Sequence, residues 1–269
     1  MIGPLPTTPG QAKHAVVAID YFTRWVEAKA LTQITEEKTT NFVKEHIVYR
    51  FGTPMAIITD LGKQFDNANF RVFCVDRNIN LRFASLAHPH TNGLVEATNK
   101  TIKKLLKKKL QQKKGLWVAE LPHVLWAYRT TRRTATGETP YSLVFGAEAV
   151  LPIEHKLISF RVQNYESKDN EAKLRANLDL LEEKQSRVAE KLAIYQSKIA
   201  RHFNKKVRVR NFKEGDLVLR KVTQNTRRRS DGVLAPNWEG PYMIKTSLRG
   251  GAYKLVDMEG VPSRPHMEC

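Results

Sequence analysis

Ile58-Thr59-Asp60-Leu61-Gly62-Lys63-Gln64-Phe65 and His88-Pro89-His90-Thr91-Asn92-Gly93-Leu94-Val95-Glu96-Ala97-Thr98-Asn99-Lys100 are the two stretches on which the reading of this chain turns. The first grows out of Met55 to Thr59, a short apolar run after Gly52 and Pro54, which reads as a buried strand that delivers Asp60 to the surface. In the second, Pro89 opens a helix that runs from about Gly93 to Lys114 and carries Glu96 one turn inside, with 35 residues between Asp60 and Glu96. Upstream, Ala15 to Ile19 is another apolar, β-branched run, and it ends at Asp20. Ligands collect at strand ends in α/β folds, and three hard oxygen donors from separate elements suit octahedral Mg2+ or Mn2+. Two such ions, about 3.5 to 4 Å apart, can activate the attacking oxygen and stabilise the leaving oxygen of an in-line phosphoryl displacement. Taken singly, each carboxylate has a plainer reading, because an aspartate at a strand end more often serves a turn or cap.

The remaining elements follow from periodicity and punctuation. Trp25 to Ala30 reads as a strand after a Tyr21 to Arg24 turn, and Thr35 caps a helix whose apolar positions are Phe42, Val43, His46 and Ile47, stopped by Gly52 and Pro54. Phe70, Phe73 and Cys74 form one helical stripe, and Ile79 to Phe83 is a strand candidate. A helix from Leu116 to Thr130 carries Trp117, Leu121, Val124, Leu125 and Tyr128, and Trp126 is expected in the core with them. Alternating strands and helices indicate an α/β fold with a mixed sheet. After Pro152 the character changes. Glu166 to Phe203 is charged and free of Gly and Pro, and a seam of Leu174, Leu178, Leu181, Gln185, Val188, Leu192, Tyr195, Ile199 and His202 fits a long helix that either packs on its own domain or self-associates. From Gly215 the strand-like runs Leu217 to Leu219, Tyr242 to Lys245 and Tyr253 to Asp257 suggest a small β-barrel. The expected organisation is a core at 1–155, a helical linker at 156–212 and a terminal module at 213–269.

Charge narrows the partners. Lys and Arg number 45 against 27 acids, a formal net charge of +18, which repels itself unless an anion lies against it. Nucleic acid leads; the bland alternative is a solubilising basic surface. From Lys100 to Lys114 there are eight lysines and no acid. Lys100 and Lys103 fall four and seven residues after Glu96, on its face of the helix. A second cluster, Arg201, Lys205, Lys206, Arg208 and Arg210, stands at the end of the long helix, and Arg227 to Arg229 form a third. Basic residues of this kind contact phosphate without reading sequence. Cys74 and Cys269 are distant and outside any C-x-x-C pair, so neither a disulfide framework nor a zinc site is expected, and a reducing compartment fits. No apolar run is long enough for a membrane span, and Met1 to Gly10 lacks signal-peptide order, so a soluble, non-secreted protein is expected.

The two opening stretches closely resemble the second and third active-site motifs of retroviral and retrotransposon integrases, and Ala18-Ile19-Asp20-Tyr21-Phe22-Thr23-Arg24-Trp25 resembles the first. Leu125-Trp126-Ala127-Tyr128-Arg129-Thr130-Thr131 and Thr139-Pro140-Tyr141-Ser142-Leu143-Val144-Phe145-Gly146 are similar to the helix and turn that follow the core in gypsy-type plant polyproteins. Asn237-Trp238-Glu239-Gly240-Pro241-Tyr242 resembles their terminal Gly-Pro-Tyr module. The resemblance implies an RNase H-like core, a long helical linker and an SH3-like barrel, the barrel apparently cut short at Cys269. It implies Asp20, Asp60 and Glu96 as catalytic ligands of two Mg2+ ions, with Mn2+ as substitute. It also implies DNA as partner, with Lys100 and Lys103 at the DNA end; Asn92, Asn99, Lys104, Lys107 and the second basic cluster are further candidate DNA contacts. Homo-oligomers and nuclear action on chromosomal DNA are expected. Departures from the family pattern are Leu61 for a usual Asn, Leu94 for a usual Gln, and His90. They suggest, as an alternative to an active integrase, a decayed DNA-binding remnant; a plain RNase H-like nuclease would share the metal chemistry but leaves the terminal barrel and the long basic helix without a reason.

Overall fold

The computed structural model describes residues 1–84, 93–110, 114–156, 163, 166–205, 212–222, 236–248 and 253–261. The chain divides into two compact units, one of Met1–Ala84 with His88–His202 and one chiefly of Phe203–Cys269. The long helix expected as a separate linker therefore groups with the first unit.

In the first unit, β1 (His14–Ile19) pairs antiparallel with β2 (Val26–Leu31), and β3 (Ala56–Thr59) pairs in parallel with β4 (Asn80–Phe83). Backbone hydrogen bonds make two separate pairs instead of one mixed sheet, but β1 is buried on both faces, as a central strand must be. Ala15 and Val17 pack with Ile102, Leu106, Trp117, Leu121 and Val124, whereas Val16, on the opposite face, packs with Phe42, Phe70, Phe73 and Ile79. Strand alternation thus sends successive side chains to two helical layers.

One layer is α1 (Glu36–Val43), a π-helical turn at Lys44–Val48, α2 (Tyr49–Phe51) and α3 (Ala68–Val75). Thr35 caps α1 by accepting from Lys38 N at 3.3 Å, Asn67 caps α3 by accepting from Phe70 N at 2.8 Å, and Gly52, at φ 85°, ends α2 where a Cβ would be strained. Burial pushes the Cys74 thiol pKa up, so this thiol is a core residue. The other layer is α4 (Gly93–Leu110) and α5 (Trp117–Arg129). Trp126 corrects the expectation: it is 39% exposed and lies against Tyr141 with ring centroids 6.0 Å apart. Nine positions separate it from Trp117, which at 3.6 residues per turn is about 180° around the helix.

A buried carboxylate locks the layers together. Glu27 on β2, 3% exposed, accepts from Trp25 Nε1 at 2.8 Å and Arg50 Nη1 at 2.8 Å, and pairs with Arg129 Nη2 at 3.0 Å. Arg129 also donates from Nε and Nη2 to the Val26 carbonyl at 3.0 and 2.8 Å, and its guanidinium lies 4.4 Å from the Trp25 ring.

After α6 (Pro140–Phe145), α7 (Ser167–Asp179) and α8 (Leu181–Asn204) are separated by a break at Leu180. Val188 and Leu192, 1% and 5% exposed, pack on Leu143 of α6, so the middle of the expected seam faces its own domain. Leu174 and Leu178 are 45% and 54% exposed, with Leu178 beside Gly146. The second unit contains β5 (Leu217–Lys221), β6 (Trp238–Ser247) and β7 (Tyr253–Val256) as one antiparallel sheet in that order, with Ile244 and Val256 buried. Gly240, at φ 124°, lies where a Cβ would meet Val218 O at 3.1 Å, so the Gly-Pro-Tyr stretch needs glycine at its first position. Among the described residues no helix is long and apolar enough to cross a membrane.

Replacing Glu27 by Ala leaves two arginines without their buried counter-charge and should cost about 3 to 5 kcal/mol in a urea titration; a loss under about 1 kcal/mol would show that the network does not hold the layers.

Candidate nucleic-acid interface

The three carboxylates stand where the sequence puts them along the chain, each at or near the end of an element, and all are exposed. Their surroundings differ. Asp20 belongs to the β1–β2 turn: its Oδ2 accepts from Thr23 N at 2.7 Å and Thr23 Oγ1 at 2.6 Å, its N–H donates to Trp25 O at 2.8 Å, and its carbonyl accepts from Arg24 N at 3.0 Å. Thr23 Oγ1 in turn accepts from Trp25 N at 3.2 Å. Short polar side chains that satisfy nearby backbone donors fix a turn in this way. Arg24, in left-handed conformation at φ 64°, is buried under the turn with its guanidinium 5.1 Å from the Tyr21 ring, and burial lowers its pKa. Gln196 of α8 donates to the Tyr21 hydroxyl.

Asp60 lies in different company. Its Oδ1 accepts from Gly62 N at 3.2 Å. The Met1 ammonium has its pKa lowered, first by burial, against which the nearby Asp60 carboxylate raises it and Lys103 lowers it further. Ile2 forms an isolated bridge with Ala15 of β1, which lays the start of the chain beside that strand. Glu96 is exposed on the first turn of α4 and shares the face of Lys100 and Lys103. Among the described residues, however, no three His, Cys, Asp or Glu side chains are placed to hold a metal ion together. Asp20 is held within its own turn, Asp60 ends β3, and Glu96 stands on the first turn of α4.

Two unpartnered atoms lie next in sequence to the candidate residues Lys100 and Asp60. Asn99 Oδ1, on α4, and Thr59 Oγ1, just before Asp60, are buried without a hydrogen-bond partner among the described residues. Sequence reasoning named Asn99 as a DNA contact and missed Thr59. Lys100, Lys103, Lys104 and Lys107 are exposed along α4, and the buried positions Thr98, Ile102, Leu106 and Leu110 on the other side hold that helix to the core. Of the second cluster, Lys205 is exposed, and Arg201 donates to Ser197 Oγ at 3.3 and 3.0 Å. Asn92, His88, His90, Lys206, Arg208, Arg210 and Arg227 to Arg229 lie outside the described residues. The sequence also passed over Glu27, because Val26-Glu27-Ala28-Lys29 alternates like an exposed edge.

Residues 212–267 match a family model described as a domain of unknown function, DUF8803. The chain is 27% identical over 254 residues to the Transposon Tf2-3 polyprotein of Schizosaccharomyces pombe (strain 972 / ATCC 24843), an alignment covering 93% of this chain and 18% of the polyprotein. The Tf2-4 polyprotein of the same organism aligns with the same figures. The chain thus spans 18% of the length of the curated relatives it matches. Among solved structures, a chain of the simian T-cell lymphotropic virus intasome in complex with PP2A regulatory subunit B56 gamma shows 25% identity and a TM-score of 0.45, over 51% of this chain and 50% of that one. The HTLV-2 integrase catalytic core domain in complex with magnesium (trimeric form) shows 26% identity and a TM-score of 0.40, over 47% of this chain and 80% of that one.

If Asp20 serves its turn, Asp20→Ala should lower stability by about 1 kcal/mol and Asp20→Asn, which keeps an acceptor for Thr23, should recover most of it. Calorimetric titration with Mn2+ separates the alternatives, since a ligand role would make Asn as damaging to metal uptake as Ala.

Proposed function

We propose that the chain is the integrase core of a retrotransposon polyprotein, with an RNase H-like first unit and an SH3-like second one, acting on DNA ends by hydrolysis and then strand transfer. The observation that carries this reading is the collinear similarity to Tf2 polyproteins over 93% of the chain. The face of α4 that carries Glu96 with exposed Lys100 and Lys103 supports it. The three-strand antiparallel sheet of the second unit supports the SH3-like assignment.

Division of labour follows from charge. Lys100, Lys103, Lys104 and Lys107 present ammonium groups to phosphates along an anchored helix, which binds DNA and orients it without reading bases. In the proposed chemistry water breaks a phosphodiester bond near the end of the element, releasing a 3′ hydroxyl whose oxygen then attacks a phosphorus of target DNA as the bridging oxygen of the broken strand leaves. Mg2+ or Mn2+ dependence belongs to the proposal, and Asp20, Asp60 and Glu96 are the residues that would hold the ions. Chromosomal DNA as target implies action in the nucleus, and joining two ends implies more than one copy of the chain.

A second reading, a DNA-binding remnant without catalysis, is favoured by Leu61, an apolar side chain 50% exposed beside Asp60. An end-joining assay on short duplexes with Mn2+ separates the two. The parent should yield joined product, and Asp60→Asn should reduce it at least about 100-fold, more than loss of an outer-shell partner. Equal joining by both removes Asp60 from the chemistry; no joining by the parent, restored in Leu61→Asn, supports decay; cut but unjoined DNA indicates a nuclease. In a salt titration of duplex binding, Lys100→Ala with Lys103→Ala should reduce the slope of log K against log salt by about two.

A further inference from the structure

A solvent-open cavity of about 260 Å³ lies beside the break between α7 and α8, lined among others by Glu138, Gly146, Asn177, Lys184, Arg187 and Lys191. Three cations and one carboxylate make its lining net positive. Lys184 already has a counter-charge, since its Nζ lies 3.5 Å from Glu138 Oε2 with both side chains mostly buried. Arg187 is held only by an exposed i,i+4 pair with Glu183 at 3.7 Å, an interaction worth little in water. Lys191 has no carboxylate within ion-pair distance among the described residues. Its ammonium instead lies over Gly137, where a Cβ would come within 3.2 Å of Nζ, and Gly137 holds φ 72°, so the turn at that point must stay bare.

The two under-compensated cations are also well aimed. Val188, between them in sequence, is 1% exposed, and Leu192 follows at 5%, so the backbone of α8 that carries Arg187 and Lys191 is fixed against Leu143. Positions 184, 187 and 191 lie at helical spacings of three and four, on one side of α8. A planar guanidinium beside an ammonium, over a wall with room for a small anion, is the arrangement that binds a phosphate oxyanion.

We propose that this cavity is a phosphate-binding site for the backbone of a nucleic-acid strand, with Arg187 and Lys191 as its ligands and the Lys184–Glu138 pair as its wall. It is separate from the lysines of α4 and rests on the DNA reading above only for the source of the phosphate.

The test uses the full chain, a fluorescent duplex of random sequence, and inorganic phosphate as a second probe. Arg187→Ala with Lys191→Ala should weaken duplex binding about 10-fold or more and lower the salt slope by about two. Lys173→Ala with Arg175→Ala, the same charge change on exposed residues of α7, should change binding less than about 2-fold. Equal effects in the two double variants would overturn the proposal by reducing the cavity to bulk charge. Amide resonances of Gly137 and Gly146 should shift on adding duplex. If they shift with inorganic phosphate and not with duplex, the nucleic-acid assignment is overturned. Circular dichroism of both variants excludes misfolding as the cause. Because the readout is binding, absence of end joining would sink the enzymatic reading and leave this result standing.

Discussion

An ionised carboxylate leaves water only if cations and donors replace its hydration, and Glu27 meets that condition with parts from three places in the chain. Trp25 comes from its own strand, Arg50 from the helical segment after the π turn, and Arg129 from the end of α5. The network therefore joins both helical layers to β2. The β1–β2 hairpin held this way presents Asp20 at its turn, and β1 sits between α4 on one face and the α1–α3 layer on the other. Where the basic face of α4 stands relative to the end of β3 depends on that stacking.

Much of this architecture is visible in the letters. The β2 strand runs Val26–Leu31 where the sequence suggests Trp25 to Ala30, and α5 runs Trp117–Arg129 where it suggests Leu116 to Thr130. Thr35 and Gly52 mark the ends of their helical segment because a cap oxygen and a positive φ are local demands that a single residue meets. Periodicity also held an answer that the bulk of one side chain obscured, since Trp126 lies opposite Trp117 on α5 and is half exposed for that reason.

The candidate site is less legible, and Asp20 shows why. A strand followed by Asp is written the same way whether the carboxylate points outward to an ion or folds back onto Thr23. The choice depends on a hydrogen bond across a few residues and on Arg24 being buried beneath them. Asp60 and Lys103 are 43 residues apart, and only tertiary packing fixes how the end of β3 and α4 lie to each other. Glu27 is hidden for the converse reason: alternation in β2 sends it away from the α4–α5 layer, and its cations arrive from segments with no sequence relation to it.

The π-helical turn at Lys44–Val48 sets the rotational phase of α2. A wider turn takes up an additional residue, so Arg50 emerges rotated relative to where an unbroken α-helix would carry it. Shortening the segment by one residue would swing the guanidinium by about 100° around the axis, away from β2. A chain altered there would keep its helix and its composition yet unhook one of its layers, so length in this segment is as constrained as residue type.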